Sequence, residues 1–386
     1  MRKVLLLGAS GSIGSQTLDI LKKHGSKFEL VGFSVGLRVE KIETILKDFP
    51  TVRFICVRKE IEKEKLKRAY PYIRFFHGDD GLSDIIVHSG CDMVVNALVG
   101  FAGLVPSIAS LRLNKTLCLA NKESLVVGGA LICELLDRGS GSLIPIDSEH
   151  VAIDKLLSRL PRKDIDKLLI TASGGAFRDL PREELIGVTP ERALAHPTWD
   201  MGAKITIDSA TMMNKGFEVL EAKWLFDFPL EKTEILMHRE SMVHSAVLMK
   251  DGTYWVDISK PDMHVPIEYA LLERKIDFSL MHVNSLSELR ECHFGTFDPN
   301  RYPCVNLALS SFRRGGSACA VLNGANEESV YAFLNRKIGF LEIEDIISSA
   351  LESVPFTPNP SLDDLIRVDT LTREYVRSEV IRRHPE

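Results

Sequence analysis

No two cysteines of this chain stand close enough to form a CxxC pair. The seven cysteines fall at positions 56, 91, 118, 133, 292, 304 and 319. An odd, scattered set argues against a disulfide framework and against a thiolate zinc site. They are expected to be small core residues in a reducing compartment. Positive charge is not in excess either: 48 Lys and Arg face 53 Asp and Glu, for a net charge of −5. A chain without a basic surface is not expected to bind nucleic acid. No apolar run approaches the roughly 18 residues of a membrane-spanning helix, so no membrane partner is expected. The first apolar run, Val4-Leu5-Leu6-Leu7, is shorter than the about 7–15 residues of a secretory leader. It reads as a first strand, and the protein is expected to be cytoplasmic. There is no internal repeat and no low-complexity tract.

The 386 residues are 45% hydrophobic and 26% charged, which fits a soluble globular chain of two or three domains. Residues 1–150 alternate short β-branched runs with helical patterns. Strands are expected over 3–7, 28–34, 53–57, 73–76, 93–97, 116–120 and 142–146, with helices over 12–23 and 38–48. This is the βαβ signature of an α/β, doubly wound parallel, Rossmann-like sheet. Residues 151–290 mix helices (152–160, 209–226) with strands (168–171, 233–237, 245–248, 254–257), as in an α+β domain. Residues 291–304, rich in Gly, Pro and polar side chains, read as a linker. Residues 305–386 read as a C-terminal helical bundle.

The first strand runs into "GASGSIG" (8–14). Glycines at a strand–helix junction let a pyrophosphate approach the helix N-terminus, where free N–H groups and the helix dipole favour anions. The spacing is GxxGxxG, and a plain tight turn would fit it too; its place on the first junction of a βαβ series favours a dinucleotide. The second strand leads to Gly36-Leu37-Arg38 and no acid. An acid would hold a ribose 2′-hydroxyl, whereas Arg38 suits a 2′-phosphate, which favours NADP over NAD. The alternative is a solvated arginine at a helix start.

Ligands of doubly wound sheets bind outside the carboxyl ends of the strands. There the chain places "ANKES" (120–124) and "DSEH" (147–150). Asp147 and Glu149, two apart in an extended segment, would share one side and repel. A hard divalent cation would relieve that repulsion. Two acids near a helix N-terminus would equally be at ease there for ordinary reasons. On a helix over 209–226, Asn214, Lys215 and Glu218 share a face, so Glu218 is a candidate third carboxylate; an ordinary surface ion pair is the plainer alternative. Ser173-Gly174-Gly175 can turn N–H groups inward as an anion nest. "HPTWDMG" (196–202) reads as a loop in which Trp199 can cover a ligand and Gly202 can hinge.

These segments, with "RYPC" (301–304) and "NGANE" (323–327), resemble the 1-deoxy-D-xylulose 5-phosphate reductoisomerase family nearly end to end. The resemblance implies an NADPH domain, a catalytic domain with a lid near 196–204, and a helical bundle, assembled as a homodimer. It implies Asp147, Glu149 and Glu218 as ligands of Mg²⁺, Mn²⁺ or Co²⁺. It implies Ser173, His196, Ser209, Asn214 and Lys215 around the substrate phosphate, Ser148 and Lys122 at the reacting end, Trp199 in the lid and Met263 near the nicotinamide. Ser10, Gly11, Ser12, Ile13, Gly36, Arg38, Asn121, Glu123 and Gly202 would face NADPH. The implied activity is rearrangement of a 2-keto sugar phosphate, most simply by retro-aldol cleavage and re-joining, followed by reduction. Two other readings share parts of this pattern: a metal-free NADP-dependent semialdehyde dehydrogenase and a non-catalytic NADP sensor.

Arg38→Ala is expected to weaken NADPH binding far more than NADH binding, as read by fluorescence titration. A parallel loss for both would show that Arg38 does not read a 2′-phosphate.

Overall fold

The computed structural model describes residues 1–199, 201–275 and 291–385. They fall into two compact units: the described residues of Met1–Ser124, Ala130–Asp147 and Asp262–Met281, and those of Leu125–Gly129, Ser148–Pro261 and His282–Glu386.

The first unit is built on β1 (Arg2–Leu7), β2 (Phe28–Ser34), β3 (Phe54–Val57), β4 (Arg74–His77), β5 (Met93–Asn96), β6 (Thr116–Leu119) and β7 (Ser142–Pro145). Their order is β4-β3-β2-β1-β5-β6-β7, and every pairing is parallel. The expected doubly wound sheet is present. Parallel strands covered on both faces need unbroken apolar runs, and Val4 to Leu7 have no exposed surface. The chain winds outward from β1 in both directions, so the crevice of the fold opens between β1 and β5. The helix His264–Leu271 packs into this core through Ile267, Ala270 and Leu271.

The turn after β1 needs its glycines. Gly8 has φ +89°, and a Cβ there would stand 2.5 Å from the Ala97 carbonyl oxygen after β5. A Cβ on Gly14 would stand 2.1 Å from the Gly8 carbonyl oxygen. Both obstacles are backbone, which cannot swing aside. The loop is also tied to β2: the Gly8 N–H donates to Ser34 Oγ at 2.8 Å.

The second unit contains β8 (Ile165–Ala172), β9 (Thr233–His238), β10 (Val243–Met249), β11 (Tyr254–Ile258) and β12 (Phe294–Thr296). The order is β11-β10-β8-β9-β12. β8 and β9 are parallel; the other pairings are antiparallel. β12 lies inside the segment expected to be only a linker: three exposed residues gain their strand character from pairing with β9. The helix expected over 209–226 is two helices, Ala203–Thr211 and Met213–Phe226, separated by Met212 in the left-handed region at φ 61°.

The C-terminal part is helical, as expected: Pro303–Arg314, Ala318–Leu334, Glu342–Ser353 and Leu362–Arg383. Gly216 lets two helices meet closely, since a Cβ there would lie 2.9 Å from the Ala308 Cβ. The last helix opens with a reciprocal cap between Ser361 and Asp364, which satisfies N–H groups the helix cannot pair itself. The seven cysteines are all free, and Cys56, Cys91, Cys118, Cys304 and Cys319 are buried. Burial pushes the thiols of Cys56, Cys118 and Cys319 up to about 12, so these sulfurs stay protonated and behave as core atoms. Among the described residues, no helix is long and apolar enough to cross a membrane.

Candidate active site

In the first unit, the side chains at the carboxyl ends of the strands are organised by hydrogen bonds. The helix Ser12–Lys23 starts at Gly11 without a side-chain cap, which leaves the dipole end suited to an anion. Ser10, Gly11 and Ile13 are partly buried around this start, and Ser12 is exposed. Gly36 and Arg38, after β2, are exposed. The expected helix at 38–48 begins at Lys41, so Arg38 belongs to the turn that precedes it.

Asn121 is the N-cap of the helix Lys122–Asp137 and accepts from the Ser124 N–H at 3.0 Å. Its amide donates to the carbonyls of Leu98 at 3.0 Å and Gly100 at 2.9 Å, and to Glu123 Oε2 at 2.9 Å. With Asn121 1% exposed and Glu123 5%, both side chains shape the loop from inside. Lys122, in the same first turn, donates to Asp147 Oδ2 at 3.0 Å. The contact follows from topology: β6 and β7 are parallel neighbours, so the residues just beyond them meet. Met263, at the start of the helix His264–Leu271, packs against the core of this unit.

The extended placement of Glu149 needs correction. β7 stops at Pro145 and a helix begins at Ser148, so Glu149 stands in a first helical turn. A carboxylate there is favoured by the dipole. The same helix was expected to begin only at 152; its first turn is polar, which hides it from an apolar-spacing argument.

In the second unit, Glu149 and Glu218 come together. An oxygen of each lies within 4.8 Å of one of the other. Lys215 Nζ donates to Glu149 Oε1 at 2.9 Å and also to Glu218 Oε2. Asn214 Nδ2 donates to Glu218 Oε1 at 2.5 Å, and Ser148 Oγ donates to Glu149 Oε2 at 2.5 Å. Glu218 is 1% exposed and Lys215 4%, so this is a buried cluster and not a surface ion pair. Burial pulls the Lys215 ammonium toward losing its proton, but attraction from Glu149 and Glu218 outweighs it and holds the pKa above the ordinary lysine value. The backbone is pinned too. The Glu218 carbonyl accepts from His150 Nε2 at 2.9 Å and the Glu149 carbonyl accepts from Ser245 Oγ at 3.0 Å.

A second cluster of this unit follows β8. Ser173 Oγ lies 3.2 Å from His196 Nε2. His196 Nδ1 accepts the N–H groups of Thr198 at 3.2 Å and Trp199 at 2.9 Å. That acceptance assigns the ring proton to Nε2, which donates to Ser173. Gly174 and Gly175 have φ of +88° and +71°, the left-handed region that glycine enters without a steric cost. Trp199 faces His244 with ring centroids 6.2 Å apart. Ser209 is partly buried near the end of the helix Ala203–Thr211, and Gly202 is its exposed N-cap. Asp200, inside the expected lid, lies outside the described residues.

Sequence reasoning missed two residues here. Arg178 donates to the Ser173 carbonyl at 3.3 Å and adds a cation beside the nest; its only signal was a place three residues after the glycine pair. His244 is 6% exposed under Trp199, and nothing local marked it.

Comparison with known proteins decides the family. Residues 4–129 match the family described as 1-deoxy-D-xylulose 5-phosphate reductoisomerase, 143–226 its C-terminal domain, and 258–375 the DXP reductoisomerase C-terminal domain. A 1-deoxy-D-xylulose 5-phosphate reductoisomerase of Geobacillus sp. (strain WCH70) is 45% identical over 380 residues, 98% of this chain and 100% of that protein. The chain belongs to the 1-deoxy-D-xylulose 5-phosphate reductoisomerase family. A relative of Bacillus anthracis, 1-deoxy-D-xylulose 5-phosphate reductoisomerase 2, is 42% identical over 381 residues, again 98% of this chain and 100% of that one. Solved structures of the reductoisomerase family agree in fold. The enzyme from Zymomonas mobilis in complex with NADPH aligns with TM-score 0.88 at 37% identity, over 98% of this chain and 99% of that one. A DOX-P reductoisomerase in complex with NADPH, fosmidomycin and magnesium aligns with TM-score 0.92 at 32% identity over both whole chains.

His196 gives a test of the local geometry. Burial, helped by nearby Arg178, lowers its pKa from 6.5 to about 4. The folded protein thus binds its proton less readily than the unfolded chain, and stability falls as pH drops from 6.5 toward 4. NMR of the imidazole nitrogens is expected to show a neutral ring with the proton on Nε2 throughout pH 5.5–8. A midpoint near 6.5 contradicts the arrangement.

Proposed function

We propose that this chain converts 1-deoxy-D-xylulose 5-phosphate to 2-C-methyl-D-erythritol 4-phosphate in non-mevalonate isoprenoid biosynthesis, using NADPH and a divalent cation. The observation that carries the reading is the pairing of partly buried Glu149 with buried Glu218 about one ammonium, in a chain related end to end to named reductoisomerases. A metal-free semialdehyde dehydrogenase gives that pair of acids no task. A non-catalytic NADP sensor gives none to Lys122, Ser173 and Lys215.

The residues present fit both cofactors. The Gly8 and Gly14 positions, which no side chain can occupy, and the uncapped helix start at Gly11 suit a pyrophosphate. Ser10, Gly11, Ser12 and Ile13 would hold it, Gly36 and Arg38 the 2′-phosphorylated ribose, and Asn121, Glu123 and Gly202 the remaining side. Carboxylate oxygens are the preferred donors of hard divalent ions. Asp147, Glu149 and Glu218 would hold Mg²⁺, Mn²⁺ or Co²⁺. Asp147 and Glu149 are joined through Ser148, and Glu149 and Glu218 already share a cation.

Bound NADPH supplies a hydride, and a bound divalent ion supplies Lewis-acid polarisation of oxygen. This chain's side chains do the rest. Lys122, held by Asp147, keeps an ammonium at the reacting end to neutralise a developing oxyanion or move a proton. Ser148 orients Glu149 through its hydroxyl proton. The nest after Ser173, His196 Nε2–H, Ser209, Asn214 and Lys215 offer donors to a phosphate. Trp199 would cover the substrate and, with Met263, exclude water. Phosphate binding far from the reacting carbons supplies energy for positioning them.

The same reading carries residues 1–150 as the NADPH domain, 151–290 as the catalytic domain, 291–304 as a linker and 305–386 as the bundle. It also carries a cytoplasmic homodimer. The dimer is supported by edge strand β11, which exposes Tyr254, Trp255 and Val256; an uncovered apolar edge invites a partner.

Glu218→Gln is expected to lower turnover at least about a hundredfold while NADPH affinity stays near that of the parent. The assay is loss of NADPH absorbance with 1-deoxy-D-xylulose 5-phosphate, with and without Mg²⁺. Equal turnover of parent and variant at saturating Mg²⁺ contradicts the role given to Glu218.

A further inference from the structure

We infer that Asn326, acting through Asp208 and Lys204, is a positioning residue for the phosphate end of the substrate site. The inference rests on the phosphate role proposed above for Ser173 and Ser209. Asn326 belongs to "NGANE", on the helix Ala318–Leu334 of the C-terminal part, and no role described so far uses it.

Asp208 precedes Ser209 and is 1% exposed. Its carboxylate accepts from Lys204 Nζ at 2.8 Å, one helical turn back, and from Asn326 Nδ2 at 2.9 Å, across 118 residues of sequence. Lys204 is 4% exposed, Asn326 fully buried. The Lys204 ammonium also stands 5.4 Å from the centre of the Phe217 ring. A buried ion pair costs desolvation that an apolar pair of similar volume avoids, so stability alone does not account for it. The amide is used at one end only: Asn326 Oδ1 has no hydrogen-bond partner. Turning the amide over would set that oxygen against a carboxylate, acceptor to acceptor. The orientation is therefore dictated by Asp208, and Asn326 in turn fixes where Asp208 sits.

What Asp208 carries is the phosphate cradle. A Cβ on Gly175 would lie 2.6 Å from the Ser209 carbonyl oxygen and 2.7 Å from the Ala210 Cα. The nest and residues 209–210 therefore touch with no room between them. Thr211 Oγ1 donates to the Asp208 carbonyl at 3.3 Å and accepts the Met213 N–H at 3.3 Å. The same few residues set the start of the helix that presents Asn214, Lys215 and Glu218. A shift of Asp208 moves the nest, Ser209 and that helix start together. A misplacement of about 1 Å caused far from the reacting atoms is enough to cost rate.

The test is steady-state kinetics of the full-length enzyme with Asn326→Leu, which keeps the volume and removes the donor. KM for 1-deoxy-D-xylulose 5-phosphate and the competitive inhibition constant of inorganic phosphate are expected to rise together, about tenfold. kcat should fall less, and NADPH affinity should hold. The exchange Asp208→Asn with Asn326→Asp keeps one amide facing one carboxylate. It should recover most of the loss seen in Asn326→Asp alone, and it serves if Asn326→Leu folds poorly. The inference is overturned if Asn326→Leu leaves both phosphate-dependent constants unchanged, if kcat and NADPH affinity fall in step with them, or if the exchange recovers nothing. Ser209→Ala separates the two levels. A raised phosphate constant in Ser209→Ala with none in Asn326→Leu defeats the positioning role alone. An unchanged constant in Ser209→Ala removes the phosphate assignment, and the inference with it.

Discussion

Lys215 shares its ammonium between Glu149 and Glu218 in a place that water barely reaches. Two carboxylates so close cannot both stay ionised in a protein interior without positive charge beside them. Neighbouring residues of the second unit hold that arrangement in place. The left-handed break at Met212 starts a fresh helix whose first turn carries Asn214 and Lys215 and whose second carries Glu218. His150 and Ser245 hold the backbone carbonyls of Glu218 and Glu149, so the acids cannot retreat from each other by backbone drift. Gly216 lets this helix press against the helix Pro303–Arg314. A lysine can hold both acids at once, because its charge is a compact point with three donors on a flexible stem.

The first unit solves a different problem with the same economy. A parallel sheet wound outward from β1 leaves a crevice at its carboxyl edge, and the loops after β1, β5 and β6 are shaped by hydrogen bonds. Asn121 is the clearest case, since it caps a helix and ties two neighbouring loops at once. Lys122 is delivered to Asp147 by the adjacency of β6 and β7, so here one cation accompanies one acid, where Lys215 accompanies two. In both units a lysine stands beside the acids it compensates.

Much of this was legible in the sequence because the physics involved is local. Unbroken apolar runs of four to seven residues announce parallel strands, and the seven strands of the first sheet were found within about two residues at each end. The glycines at 8 and 14 declare a turn that only glycine can make. Features that depend on partners far along the chain were not legible. Phe294-Gly295-Thr296 is a strand only because β9 lies beside it. Met212 breaks a helix without Gly, Pro or Asn to announce it. Glu149 looked like a strand residue because a polar first turn masks the helix start at Ser148. His244 and the Asp208–Asn326 contact are products of packing, with no spacing that a reader of the sequence can measure. The set Asp147, Glu149 and Glu218 came from chemical plausibility joined to a family resemblance.

The central claim is that these acids form one divalent cation site. Anomalous diffraction at the manganese edge, on crystals of the protein with NADPH and Mn²⁺, tests it most directly. The account predicts one strong peak within roughly 2.0–2.6 Å of oxygens from Asp147, Glu149 and Glu218. A peak elsewhere, or none at a Mn²⁺ concentration that supports turnover, contradicts it.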